Sequence, residues 1–98
     1  MTAELVTENP RGGLWYRGHF PSMPVLPGVA MLDLVETAAR TLLSVDIAEL
    51  HRVRFKAMVR PEAATLRVRI NESETADATY DFTVEADGVL ACAGSFSA

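Results

Sequence analysis

The sequence predicts an α+β fold in which an antiparallel sheet curls around one central helix. Residues 29–43 form a nearly uninterrupted apolar stretch of helical length, and four later segments alternate apolar and polar side chains with a period of two. Turn-forming residues separate these segments. Because 98 residues suffice for one domain, we expect residues 1–98 to form a single unit.

The helix is predicted over residues 29–43. Pro27 suits its first turn, where the missing N–H of proline costs no hydrogen bond. The charged residues Asp33, Glu36 and Arg40 form one narrow stripe, and the last two are spaced as an ordinary helix ion pair. Since the other faces are apolar or small, we expect protein to surround this helix on most sides.

The strands are predicted from alternation and turns. One short strand precedes the helix, over residues 3–8, and a four-stranded antiparallel meander follows it. The later strands lie around residues 52–57, 66–70, 80–85 and 89–96. Asp87-Gly88 is a strong hairpin signal between the last two strands. Cys92 falls within the last alternation and is predicted to be a small core residue.

The composition excludes several classes of protein. A hydrophobic content of 49% argues against disorder. A single cysteine excludes an intrachain disulfide and a cysteine zinc cluster, and two histidines leave little scope for a metal site, so none is predicted. No apolar run approaches the ~20 residues that span a bilayer, and the first residues lack a signal-like core. We therefore expect a cytoplasmic protein without a membrane segment.

The net charge of −4 hides a segregation of charge along the chain. Residues 50–70 carry six cations and one acid, whereas residues 71–98 carry six acids and no cation. One interpretation makes both segments the solvated faces of strands. The other makes the basic stretch a docking surface for an acidic partner. Nucleic acid is a poor candidate, because the chain is acidic overall and contains no known nucleic-acid motif.

The segment before the helix has the most unusual composition. It contains His19 and prolines at 21, 24 and 27, which predict an ordered, stiff loop over residues 14–27. The amides of Gly28 and Val29 would be among the unpaired N–H groups of the helix, an arrangement suited to a developing oxyanion. Asp33 follows one turn later in apolar surroundings, where desolvation favours the protonated form that a general acid needs.

Each of these features also has a purely structural interpretation. His19 fits a hydrogen-bonded loop residue, and Asp33 fits a solvated helix stripe together with Glu36 and Arg40. The prolines alone make a rigid turn. The aromatic and Met residues around the motif suit core packing as well as an acyl tunnel. The spacing by itself leaves these alternatives open.

The motif His-Phe-Pro-x-x-Pro-Val-Leu-Pro-Gly-Val, with a carboxylate fourteen positions after the histidine, resembles the signature of the FabA/FabZ-type 3-hydroxyacyl-[acyl-carrier-protein] dehydratases. It covers residues 18–33, and residues 53–61 are more weakly similar to a second strand of that family. The resemblance implies the hot-dog fold, an antiparallel sheet wrapped around one long central helix. This agrees with the fold class predicted from periodicity.

The resemblance implies a role for three residues. His19 matches the catalytic histidine, which removes the C2 proton of a 3-hydroxyacyl thioester. Asp33 matches the carboxylate that helps the C3 hydroxyl leave as water, and Gly28 matches the glycine whose amide holds the thioester carbonyl oxygen. In the family the histidine and the acid of one site come from opposite subunits of a dimer. The implied product is a trans-2-enoyl thioester of fatty acid or polyketide-type synthesis.

The resemblance also indicates how substrate and carrier would bind. The expected acyl-contacting residues lie in the motif and the helix: Phe20, Val25, Val29 and Thr37. The substrate would be carried on the phosphopantetheine of acyl carrier protein or of CoA, with no further cofactor. The expected docking residues for an acidic carrier lie in the basic stretch: Arg52, Arg54, Lys56 and Arg60. We expect a homodimer, a higher hot-dog oligomer or a hetero-oligomer, with no nucleic acid or membrane as partner.

Two departures from the family pattern keep other functions open. Thr37 stands where the family usually has a Gln that places the acid and its water, and eighteen residues precede His19, fewer than is typical. Together with Asp33, these features resemble the short ApeI-like dehydratase branch. The alternatives to a dehydratase are a non-catalytic or partner-dependent hot-dog subunit that binds acyl thioesters, and a hot-dog thioesterase.

Overall fold

The computed structural model describes residues 2–8, 28–57, 59 and 65–98. Within them lie one helix and five strands: β1 (Thr2–Glu8), α1 (Gly28–Leu43), β2 (Glu49–Phe55), β3 (Thr65–Glu72), β4 (Thr79–Ala86) and β5 (Val89–Ser97). The predicted α+β class, with one helix and an antiparallel sheet, is confirmed. The predicted stiff loop over residues 14–27, including His19, lies outside the described residues.

The five strands form one antiparallel sheet in the order β1-β3-β4-β5-β2. The prediction of a meander is correct for β3, β4 and β5 but wrong for β2, which crosses the sheet and pairs with β5. The period of two determines which side chains share a face, and it does not determine which strands are neighbours. Nine residues separate β2 from β3, whereas a tight hairpin needs about two.

The predicted hairpin at Asp87-Gly88 is confirmed. Both residues have positive φ, 49° and 84°, as a two-residue type I′ turn requires. The Asp87 side chain accepts a hydrogen bond of 2.9 Å from the Thr65 N–H, which ties this turn to the start of β3. This hydrogen bond therefore attaches the β4–β5 turn to the first residue of β3.

The core lies between α1 and the inner face of the sheet. The sheet contributes Phe82, Phe96, Leu66 and Ile70, all fully buried. The helix contributes five buried residues of mostly small volume: Ala30, Met31, Val35, Ala38 and Ala39. Cys92 is fully buried here, as predicted, and burial raises the pKa of its thiol, partly offset by a hydrogen bond from the backbone of Ala93.

Helix α1 packs chiefly against β1, β3 and β4 and meets β2 where Gly28 lies against the Phe55 ring, so the described elements leave much of the inner face of β2 uncovered. Leu50 and Phe55 pair with the buried Phe96 and Cys92, so they point toward the core side of the sheet. They are nevertheless 42% and 54% exposed. The expectation that protein surrounds the helix on most sides is not met by the described residues of a single chain.

A β-bulge at Arg52 sets which way β2 presents its side chains. Arg52 has a φ of 53°, in the left-handed region, and the pairing with β5 shifts between His51 and Arg54. In a regular strand, residues an odd number apart point to opposite faces. The bulge adds one residue, so Leu50 and Phe55 both reach the inner face.

No helix among the described residues is long and apolar enough to cross a membrane.

Gly94 on β5 is predicted to be intolerant of any side chain. A Cβ at this position would lie 2.9 Å from Cζ of Phe82 and 3.1 Å from the Val53 Cα. We expect Gly94→Ala to lower the free energy of unfolding by about 1–3 kcal/mol, because the buried ring and the β2 backbone cannot both move away. Urea denaturation at matched protein concentration measures this change.

Val89→Ala is the control, on the same strand but 60% exposed, and should change the free energy of unfolding by less than about 0.5 kcal/mol. An equal effect of both variants would contradict the steric role assigned to Gly94.

Candidate active site

A groove with a volume of about 390 Å³ runs between α1 and the start of β2. Its wall is mixed, with five apolar residues and two carboxylates: Val29, Leu32, Ile47, Ala48, Leu50, Asp33 and Glu36. The helical residues follow the i, i+3, i+4, i+7 spacing of one helix face. The groove occupies the strip of the sheet that α1 leaves uncovered.

Asp33 presents an unengaged carboxylate to this groove. Within the described ranges its side chain makes no hydrogen bond or ion pair, and it is exposed in the single chain. Val29 and Leu32 lie on one side of it and Glu36 on the other, so its surroundings in the groove are mixed, whereas apolar surroundings were predicted. The desolvation expected for a general acid is not supplied by the described part of one chain. It would require the groove to be covered.

Glu36 is the second carboxylate of the groove, and it is held differently. Nη2 of Arg40 donates a 2.6 Å hydrogen bond to Oε1 of Glu36, in the i,i+4 geometry of a helix ion pair. The interpretation of Glu36 and Arg40 as an ordinary helix pair is confirmed. Of the two carboxylates, Asp33 is therefore the one whose oxygens are available to a ligand.

Gly28 is the first residue of α1, and the ring of Phe55 lies against it. A Cβ at position 28 would lie 2.6 Å from Cζ, 2.7 Å from Cε1 and 3.2 Å from Cε2 of that ring. Contacts below 3.0 Å do not occur between real atoms of this kind, so any side chain at 28 would displace the half-exposed Phe55 ring. The phenyl ring of Phe55 thus lies beside the N-terminal end of α1.

Some predicted site residues lie outside the described residues. These are His19, Phe20, Val25 and Arg60, and their predicted roles stay predictions. Val29 and Asp33, four residues apart, lie on one face of α1, and both line the groove. Gly28 is at the start of the same helix but is not among the groove residues, and Thr37 is exposed one turn beyond Asp33.

The basic stretch divides into two groups. Arg67 and Arg69 pair with Glu4 on β1 at 3.1 and 3.3 Å, and Arg69 also lies 3.9 Å from Glu85. These two arginines fit the interpretation of a solvated strand face. A second group makes no ion pair within the part of the chain that the structure describes, and all its members are exposed: Arg52, Arg54 and Lys56.

Several residues at the site were not predicted from the sequence to belong to it. Ile47, Ala48 and Leu50 line the groove beside β2, Leu32 and Glu36 line it from the helix, and Phe55 packs against Gly28 outside the groove lining. The alternation does predict that Phe55 points inward. It does not indicate which strands the helix covers, so the exposure of the inner face of β2 could not be predicted from it.

Comparison with known proteins places the chain in a family. The family described as ApeI-like (ApeI dehydratase) matches residues 1–95. A 3-hydroxyacyl-[acyl-carrier-protein] dehydratase FabZ of Oenococcus oeni is 31% identical over 88 residues, covering 80% of this chain and 63% of that protein. The FabZ of Clostridium perfringens is 32% identical over 90 residues, covering 82% and 65%. The chain thus spans less than two thirds of these curated relatives.

Two solved structures share the fold over nearly the whole chain. The dehydratase heterocomplex ApeI:P from Xenorhabdus doucetiae matches with a TM-score of 0.83 and 32% identity, covering 98% of this chain and 85% of that one. An uncharacterised protein from Erwinia carotovora subsp. atroseptica matches with a TM-score of 0.80 and 27% identity, covering 98% and 81%. With its single helix over a five-stranded antiparallel sheet, the chain has the hot-dog fold and belongs to the ApeI-like dehydratase family.

Proposed function

We propose that this protein dehydrates a 3-hydroxyacyl thioester to the trans-2-enoyl thioester. The observation that carries the proposal is the Asp33 carboxylate, which has no partner among the described residues and lies in a largely apolar groove less than two helical turns from Gly28 at the start of α1. Family membership and the FabZ relatives support the same reaction class.

The reaction requires one base, one acid and one site for negative charge. His19 takes the C2 proton, and charge builds on the thioester carbonyl oxygen. The Gly28 N–H, one of the helix amides without an intrahelical acceptor, donates a hydrogen bond to that oxygen. Protonated Asp33 gives its proton to the C3 hydroxyl as the C3–O bond breaks, so that water leaves and the C2=C3 double bond forms.

The proposed catalytic unit contains at least two hot-dog subunits. In one described chain the groove is open, Asp33 is exposed, and the apolar Leu50 and Phe55 are uncovered. A second subunit over this strip would exclude water from Asp33 and bury those side chains. It would also allow His19 of one subunit to act with Asp33 of the other.

A related chain is a second candidate for that partner, besides a second copy. The Xenorhabdus doucetiae structure is a heterocomplex of ApeI with a protein designated P. We extend this arrangement to the present chain as a partner-dependent subunit. Dehydration by the purified chain alone would favour the homo-oligomer, whereas activity that appears only with a related hot-dog chain would favour the hetero-oligomer.

Acyl carrier protein is the proposed substrate carrier. The FabZ relatives carry that substrate in their names. In this chain the three unpaired cations of the second basic group, Arg52, Arg54 and Lys56, lie on and just after the edge strand β2. Because no acid of the described chain neutralises them, they are available to an acidic carrier.

Removing the acid or the base tests the reaction. We expect Asp33→Asn and His19→Ala each to lower kcat by about 10²- to 10⁴-fold, the range for losing a general acid or base. The assay follows the conjugated enoyl thioester formed from a 3-hydroxyacyl-carrier-protein, with a thiol dye to detect thioester cleavage. Asp46→Asn is the matched control, since Asp46 is exposed and lies after the helix. Wild-type activity in both site variants, or thiol release without enoyl formation, would overturn the proposal.

Carrier docking predicts a separate effect on KM. Arg54→Gln should raise KM for the carrier-protein substrate by about 3- to 10-fold at low salt and leave kcat within a factor of two, because an interface charge acts on encounter. The same variant should not change KM for a pantetheine thioester that lacks the carrier protein. Arg67→Gln is the control, since Glu4 already pairs with Arg67. Equal effects of the two arginine variants would contradict the docking site.

A further inference from the structure

The ring of Phe55 stands beside the position where a thioester carbonyl would bind. In an α-helix every Cα–Cβ bond tilts toward the N-terminus, the direction in which the first amides also point. The ring occupies the Cβ position of Gly28, so it lies next to any oxygen that accepts a hydrogen bond from the Gly28 N–H. Such an oxygen lies about 2.9 Å from the nitrogen. The carbon atoms attached to that carbonyl therefore come within contact distance of the ring.

The backbone of Phe55 is held by the sheet, and its ring is half-exposed. Phe55 pairs with Cys92 on β5, and the next residue, Lys56, donates a 2.7 Å backbone hydrogen bond to the Ala91 carbonyl. These bonds hold the backbone, and the tip of the ring lies against Gly28. Yet Phe55 is 54% exposed, and Val29 beside Gly28 is 63% exposed. A ligand at the Gly28 amide would therefore meet an apolar surface formed by these two side chains.

We propose that Phe55 is a specificity-determining residue that excludes 3-hydroxyacyl thioesters with a substituent at C2. The inference rests on the proposed function, in which the carbonyl oxygen binds the Gly28 N–H. C2 is the carbon next to that carbonyl, so an added methyl group there points into the space that the ring fills. A pocket discriminates one methyl or methylene group by about 10- to 200-fold.

The test compares 3-hydroxybutyryl with 2-methyl-3-hydroxybutyryl pantetheine thioester, the latter as both C2 epimers so that one presents its proton to the base. The wild type should prefer the unbranched substrate by at least about 10-fold in kcat/KM. Phe55→Ala should reduce this preference at least fivefold. Phe55→Leu, which keeps an apolar side chain, should give a preference between those of the wild type and Phe55→Ala. It serves as the test variant if Phe55→Ala is poorly folded.

Val6→Ala is the matched control. Val6 lies on the edge strand at the other side of the sheet and is 51% exposed, close to the exposure of Phe55. Its substitution should leave the preference unchanged. An unchanged preference in both Phe55 variants, or equal turnover of the two substrates by the wild type, would overturn the inference.

A binding measurement separates this inference from the proposed function. The same two thioesters are titrated into Asp33→Asn, with and without Phe55→Ala, by calorimetry. Tighter binding of the unbranched thioester that is lost with Phe55→Ala supports the specificity role even if the wild type forms no enoyl product. Equal binding of both thioesters to the two variants overturns the specificity role alone, and absence of binding to either overturns both proposals.

Discussion

One α-helix is too narrow to cover a five-stranded sheet, and the rest of the structure follows from this mismatch. A helix with its side chains is about 10–12 Å wide. Five strands at about 4.8 Å spacing extend roughly 19 Å across the sheet. Helix α1 therefore covers chiefly β1, β3 and β4, and the residues that the structure describes leave a strip along β2 largely open. The small residues Ala38 and Ala39 bring the helix close to the strands that it does cover.

The open strip accounts for both the apolar and the charged residues that a single chain leaves unmatched. On the inner side of β2, Leu50 and Phe55 are apolar and exposed, and they face the helix edge that carries Val29 and Asp33. Along the same strand, Arg52 and Arg54 lack acidic partners among the described residues. On the opposite edge, β1, Glu4 pairs with two arginines of β3. The two edges of the sheet differ accordingly: one is electrostatically satisfied, and the other offers apolar and cationic groups for binding.

Much of the fold could be predicted because it depends on local patterns. The apolar run over residues 29–43 and the alternation in the strands each report the burial of a face, and Asp87-Gly88 reports a tight turn. The neighbour of β2 could not be predicted, because alternation is identical whether a strand pairs with β3 or with β5. The bulge at Arg52 was equally inaccessible, since Arg has no intrinsic preference for the positive φ found there.

The candidate site likewise has a part that could be predicted from local patterns and a part that could not. Gly28 and Asp33 lie on one helix, so their relation follows from helical geometry. The β2 side of the site depends on which strand β2 pairs with. Phe55 reaches Gly28 because β2 crosses the sheet and pairs with β5.

The central claim is that the strip between α1 and β2 binds the acyl thioester. Amide chemical-shift mapping by NMR, with a 3-hydroxyacyl pantetheine thioester titrated into the protein, tests it most directly. We predict saturable shifts at Gly28, Val29, Asp33 and Leu50, with smaller changes at Arg67 and Glu85 on the outer face of the sheet. Shifts confined to the outer face, or no saturable shift on either side of the strip, would contradict the account.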